Sequence, residues 1–327
     1  MKISIITPSF NQAQYIEQTI DSVISQNYKN IEYIIIDGGS TDGSVDIIKK
    51  YSKHLSYWVS EPDRGQSHAI NKGLKQATGE VVNWLNSDDY YEPDALREVA
   101  DAFADENTLV FAAKSNIILD AKMIRQSSGT DIYPDNVSKT IGWARIDQPE
   151  TFFRRSAYEQ VGLLNESLNY VMDKEWWIRY LLMFGLKGIH QSNSHIVNFR
   201  LHSSSKTISQ AKGFLKESLQ IFHSFAQATG CDAEAQTMAD LFHIESLKCN
   251  SQWPPVDKQQ ALNILNYFFL GRADEVYYNL DFNLTKKILA SLDEKNLERT
   301  DIKLYDKLSF RSHSPAWIIK LMRKKIH

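Results

Sequence analysis

Two short runs, Ile-Ser-Ile-Ile at 3–6 and Tyr-Ile-Ile-Ile at 33–36, are almost wholly β-branched or aromatic. Runs of this kind read as strands buried on both faces, the pattern of a parallel sheet rather than a half-solvated antiparallel one. Parallel neighbours need a crossover, and the intervening stretch supplies it. Its apolar positions 15, 16, 20, 23 and 24 fall at helical spacing, so the segment reads as a βαβ unit. The alternation continues with a helix expected at 43–51, a strand at 56–60, a helix at 66–77 and a strand at 81–85. The order βαβαβαβ predicts a doubly wound α/β layer, in which ligands sit beyond the carboxyl ends of the strands.

Further on the pattern becomes mixed, with strands expected at 109–113, 151–153 and 195–200 and a helix at 173–184. After His202 the period is mostly helical, broken by the turn Trp253-Pro254-Pro255. At 327 residues the chain exceeds one ordinary compact domain. The expected division is an α/β nucleotide-binding domain over 1–205 and a helical region over 206–327.

Composition narrows the class. With 43% hydrophobic and 24% charged residues the chain is an ordinary globular one and not a disordered one. A formal net charge of −3 provides no global field that would draw it to nucleic acid. Cys231 and Cys249 are the two cysteines and form no CxxC, so neither a disulfide framework nor a thiolate zinc site is expected, and a reducing compartment fits. The opening MKISIITPSF falls short of a signal peptide's apolar core. No run of about 18 apolar residues suggests a membrane span, and the expected location is cytoplasmic. In 314–327, Trp317, Ile318, Leu321 and Met322 share a helical face opposite Lys320, Arg323 and Lys324. That segment suits either the anionic inner face of the cell membrane, as a peripheral contact, or a final helix packed on its own region.

Five polar clusters carry the chemistry. Thr7-Pro8-Ser9-Phe10-Asn11 ends the first strand, and Asp37-Gly38-Gly39-Ser40-Thr41-Asp42-Gly43 ends the second. Small residues and helix-start amides beside a carboxylate make a pocket for a base, ribose or phosphate. The same residues also serve any strand-to-helix turn. Asn86-Ser87-Asp88-Asp89 offers hard oxygen ligands suited to Mg²⁺ or Mn²⁺, or a cap for a helix near Pro93. Asp173 and Glu175 open an apolar helix, either as a candidate general base or as acids favoured in a first helical turn. In Arg200-Leu201-His202-Ser203-Ser204-Ser205-Lys206-Thr207 the imidazole is a further candidate ligand or a structural histidine. Walker, GxGxxG, HExxH and GxSxG motifs are absent from the sequence, so hydrolase and dehydrogenase readings lack an anchor.

Taken in order over about residues 2–207, TPSFNQAQYIEQTIDSVISQ, IIIDGGSTDGS, WLNSDDYYEPDAL, MDKEWW and FRLHSSSKT resemble the family 2 glycosyltransferases. The resemblance implies a GT-A fold, with a mostly parallel sheet flanked by helices. It also implies inverting, hexosyltransferase-type transfer from a nucleotide-diphosphate sugar, foremost a UDP-sugar, to an acceptor hydroxyl in bacterial surface polysaccharide or glycan synthesis.

By that resemblance Asp37 would bond the donor's base, with Thr7, Ser9, Asn11 and Gly39 beside it and Asp63 lining the pocket. Asp88, Asp89 and His202 would hold Mn²⁺ or Mg²⁺, with Asn86 and Ser87 in the same turn. Asp173 would be the general base, assisted by Glu175. Two departures stand out: Asn86 replaces the first acid of the usual Asp-x-Asp, and Ile70 replaces an arginine before Asn71-Lys72-Gly73. Arg64 or Lys72 is then expected to supply the phosphate-binding cation. Trp143, Gln148, Glu150 and Trp176 are expected to face a glycan or lipid-linked glycan acceptor. Two other classes stay open, a catalytically degenerate nucleotide-sugar-binding protein and a sugar nucleotidyltransferase.

Overall fold

The computed structural model describes residues 1–143, 145–202, 205–206, 210–244 and 251–314. Of the segment 314–327, only Ser314 falls within them, so the amphipathic reading lies outside the described residues. The chain forms two compact units, 1–132 with 145–217 and 133–144 with 218–327.

The first unit is built on a mixed sheet. β1 (Ile3–Ser9), β2 (Ile31–Asp37), β3 (Tyr57–Ser60) and β4 (Val81–Trp84) lie parallel in the order β3-β2-β1-β4. The two sequence runs are buried throughout, as strands covered on both faces must be. Beyond β4 the sheet turns antiparallel. β8 (Thr151–Arg154) joins β4 to β6 (Val110–Leu119), and β6 runs parallel to the long β9 (Ile189–Leu201). The two-residue β5 (Tyr90–Tyr91) closes the far edge against β9, and β7 (Lys122–Gln126) forms a hairpin on β6.

Helices cover the sheet. In α1 (Ile16–Ile24) the buried Ile16, Ile20 and Val23 recur at the amphipathic spacing. Its Thr19 hydroxyl donates to the carbonyls of Ser87 (2.9 Å) and Asp89 (2.7 Å), pinning the acidic turn after β4 to the helix. α2 (Ser44–Lys50), α3 (Gln66–Gln76), α4 (Ala95–Ala102), α6 (Arg155–Val161) and α7 (Met172–Phe184) complete the layer. α7 is anchored by aromatics. Trp176 packs on Phe153 at 4.6 Å and Tyr158 at 4.8 Å between ring centroids, and its indole N–H donates to the Gly162 carbonyl.

α3 lies so close to β1 that a Cβ at Gly73 would sit 2.4 Å from Ile6 Cγ2. Gly73→Ala would add about 1 kcal/mol of helix propensity. The clash is with a fully buried β-branched side chain in mid-strand, and overpacking of that kind costs about 1–3 kcal/mol. The expected net result is destabilisation, read as a lower urea midpoint at unchanged slope; a raised midpoint would contradict the packing argument.

The second unit is helical, with α5 (Val137–Gly142), α9 (Asp232–Phe242), α10 (Lys258–Tyr278), α11 (Phe282–Leu289) and α12 (Arg299–His313), while α8 (Ala211–Ala228) contributes its residues from 218 on. Gly142 lets α5 touch α10, since a Cβ there would lie 2.3 Å from the Ile264 carbonyl oxygen. Phe222 stacks on Phe268 at 4.1 Å, and Lys139 forms a buried ion pair with Asp301 at 2.7 Å. Among the described residues no helix is long and apolar enough to cross a membrane.

Candidate active site

The strand register brings the polar clusters together: Ser9 pairs with Asp37 and Asp37 with Ser60, so β1, β2 and β3 end in line. Beyond those ends, within the first unit, opens a cleft of about 1080 Å³. Its walls include Ser9, Phe10, Asp63, the turn Asn86-Ser87-Asp88-Asp89, Asp173 and His202.

Asp37 closes its own turn. Oδ2 accepts from the amides of Gly39 (3.0 Å) and Ser40 (2.8 Å) and from the Ser60 hydroxyl (2.7 Å), and Oδ1 accepts from the Ser40 hydroxyl (2.5 Å). Gly39, at φ +86°, supplies the left-handed conformation this turn needs. Thr7 bonds the Tyr33 hydroxyl below the floor, and Asn11 ties to the Ser40 hydroxyl and the Thr41 amide. Thr7, Asn11, Asp37 and Gly39 are not among the residues that line the cleft. Asp63 does line it, with the Gly65 amide donating to Oδ1 at 2.8 Å. A Cβ at Gly38 would stand 2.7 Å from Asp63 Oδ2 and 3.3 Å from the Phe10 ring, so the missing side chain at 38 makes room for the Asp63 carboxylate.

At the acidic turn, Asp88 Oδ2 lies 3.0 Å from His202 Nε2, with the Tyr15 ring 4.7 Å from the imidazole. Asp89 is buried and committed to the protein: Oδ1 accepts from the Arg200 amide (2.9 Å) and Oδ2 from the Asn86 side chain (3.4 Å). Burial, then the charge of Asp88, push its carboxyl well above the usual range. Asn86 in turn accepts from Gln66 at 2.8 Å. Among the described residues no group of three His, Cys, Asp or Glu side chains forms a ready metal cage. The pair Asp88 and His202 offers one oxygen and one nitrogen, a partial set that a diphosphate's oxygens would complete.

Asp173 sits in the first turn of α7 and also lines the cleft. Burial raises its carboxyl to about 6, against the Lys174 amide donating to Oδ1 at 2.7 Å. Glu175 lies elsewhere. It is buried in a two-pronged pair with Arg179 at 3.0 Å, and Arg179 also donates to the carbonyls of Val161 and Leu163. Trp176 belongs to the core, and Trp143 lies in the second unit against Tyr133. Gln148 and Glu150 do line the cleft. Gln148 donates to Asn83 and to the Trp84 carbonyl, and burial followed by the Asp147 charge raises the Glu150 carboxyl.

The two expected phosphate-binding cations are engaged elsewhere. Arg64, 68% exposed, pairs with Glu166, and Lys72 pairs with Glu61. Asn71 braces the Leu164 backbone. Lys206, four residues past His202, is a cleft cation to which the sequence reading gave no role: it lines the wall and donates to Gln66 and to the Asn169 carbonyl, each at 3.0 Å. Its place in the last polar cluster was the available signal.

Residues 4–162 match the family described as Glycosyl transferase family 2. An uncharacterised glycosyltransferase of Rickettsia typhi is 26% identical over 218 residues, 63% of this chain and 65% of that protein. The candidate teichuronic acid biosynthesis glycosyltransferase TuaG of Bacillus subtilis is 42% identical over 101 residues, 29% of this chain and 39% of that protein. The matched stretch thus spans less than two thirds of either relative's length. Among solved structures, S. aureus TarS 1–349 in complex with UDP-GlcNAc aligns at a TM-score of 0.61 and 17% identity, covering 99% of this chain and 92% of that one. That likeness speaks for the fold, a GT-A arrangement with helices added at the C-terminal side.

Proposed function

Because this chain belongs, through residues 4–162, to glycosyl transferase family 2, we propose that it transfers a sugar with inversion from a UDP-sugar to an acceptor hydroxyl. One observation carries the reading: the Asp88–His202 pair and a half-buried Asp173 wall the same cleft beyond the parallel strands. The UDP-GlcNAc in the TarS complex and the teichuronic acid biosynthesis named for TuaG support the donor and a bacterial surface glycan as product. The chemistry is assigned to the first unit, 1–132 with 145–217, on the cytoplasmic face, with the second, helical unit as an accessory region.

In the proposed reaction Asp173 takes the proton of the acceptor hydroxyl as its oxygen forms a bond to the anomeric carbon. The bond from that carbon to the donor's diphosphate breaks with its electron pair leaving on the diphosphate. A carboxyl near 6 is mostly ionised at neutral pH yet basic enough to assist. Phe10, 60% exposed at the cleft wall, offers a face for the base, and Asp63 an acceptor for its N–H. Lys206 and Arg200 place positive charge where the diphosphate would lie. A divalent cation, Mn²⁺ or Mg²⁺, held by Asp88 and His202 would neutralise the leaving diphosphate.

The reading is tested by incubating the protein with UDP-, GDP- and dTDP-sugars without acceptor, with and without Mn²⁺. Slow, cation-stimulated release of one nucleoside diphosphate, UDP first, is expected. A donor that binds without ever being cleaved, even with glycan acceptors added, would instead favour a degenerate binding protein, consistent with the internal bonding of Asn86 and Asp89.

A further inference from the structure

The segment Asn169–Val171 runs into α7 two residues before Asp173. Its three consecutive backbone N–H groups converge on one side chain: Glu217 Oε1 accepts from Asn169 (2.8 Å), and Oε2 from Tyr170 (2.7 Å) and Val171 (3.2 Å). Glu217 is buried, 7% exposed, on α8 and inside the first unit. Charge-assisted bonds to a carboxylate are roughly twice as strong as neutral ones, so this side chain grips the loop more firmly than a neutral cap would.

Neighbouring residues of α8 enforce the same placement. The Phe214 ring lies 5.3 Å from the Tyr170 ring, and a Cβ at Gly213 would meet the Tyr170 ring at 2.6 Å. Lys206, which precedes α8, donates to the Asn169 carbonyl at 3.0 Å, so the loop is held through both its amides and a carbonyl. Asn169, Tyr170, Met172 and Asp173 all line the cleft. The loop that Glu217 fixes is therefore the one that delivers the base.

We infer that Glu217 is a positioning residue for the transfer step, holding 169–173 so that the Asp173 carboxylate is presented to the acceptor hydroxyl shielded from water. This rests on the proposed role of Asp173. The charged groups facing Asp173 are Lys174 on its own helix and Asp147 from the segment before β8; neither is changed by substituting Glu217.

Glu217→Gln keeps the volume but turns one acceptor into an NH₂ group facing backbone N–H donors. The loosened loop admits water to Asp173, and its carboxyl falls from about 6 toward the ordinary range. Expected results are a fall in kcat of about tenfold, donor affinity by calorimetry within about twofold of wild type, and an acid limb of the kcat profile moved down by more than about half a pH unit. Loss of fold alone would lower the active fraction without moving the limb. Glu217→Ala, scored on its folded fraction, provides a second variant with the same expectation. A limb that stays at the wild-type pH in both variants overturns the inference, whatever kcat does. Normal turnover in Asp173→Asn would instead remove the reading on which it rests, so the two failures are distinguishable.

Discussion

Asp173→Asn is expected to lower kcat by about 10²–10⁴-fold, the usual loss on removing a general base, with donor nucleotide affinity kept. The substitution is nearly isosteric, and the amide oxygen can still accept from the Lys174 N–H that holds the native carboxylate at 2.7 Å. What disappears is the lone pair that, in the proposed reaction, takes the acceptor's proton. The wild-type pH profile follows from the same group. Burial disfavours its charged form, so its carboxyl sits near 6 rather than in the usual range. The active form is the deprotonated one, so kcat should be on its plateau well above pH 6 and fall about tenfold per unit below it, a limb that the asparagine variant must lose. Near-normal turnover in the variant would remove Asp173 from the mechanism.

Asp88→Ala is expected to be nearly as damaging, lowering kcat/KM by about 10²-fold or more. The expectation comes from what remains after the change. Asp89 cannot take over, since its oxygens are held by the Arg200 amide and Asn86. Asn86 accepts from Gln66 and carries no charge. Of the pair proposed to hold the cation only His202 would remain, and one imidazole is a poor site for Mg²⁺ or Mn²⁺. The counterpart, Asp89→Asn, should cost more in stability than in nucleotide affinity, because it disturbs a buried backbone bond rather than the exposed side of the turn. Donor kinetics and urea unfolding on both variants separate the two; equal kinetic losses would contradict the distinction.

The α/β half was legible because its signals are local. Continuous apolar runs gave β1 and β2, helical spacing gave α1, and the polar stop at 86–89 marked the end of β4 and one wall of the cleft. What escaped depends on partners distant in sequence. β6 and β9 were expected as 109–113 and 195–200 but extend over Val110–Leu119 and Ile189–Leu201, since the start of β9 is exposed and polar and is paired only through β6. The placement of α5 with the helical unit follows from glycine contacts to α10 that no local pattern encodes. Glu175 is a different case. Its partner Arg179 stands four residues on, and that spacing was a visible sign of a helical ion pair. Glu217 and Lys206 lie beyond the family-matched stretch, and only the packing of α8 and the polar cluster before it brings Lys206 to the cleft wall and Glu217 to the backbone of the loop that lines it.

The most direct test of the central claim is calorimetric titration of UDP, GDP and dTDP, each with and without Mn²⁺, on the wild type and Asp88→Ala. Cation-dependent binding of one nucleotide, UDP first, is expected in the wild type and its loss in the variant. Absence of binding by all three nucleotides under every metal condition would contradict the donor site, and binding retained in Asp88→Ala would contradict the role given to that carboxylate.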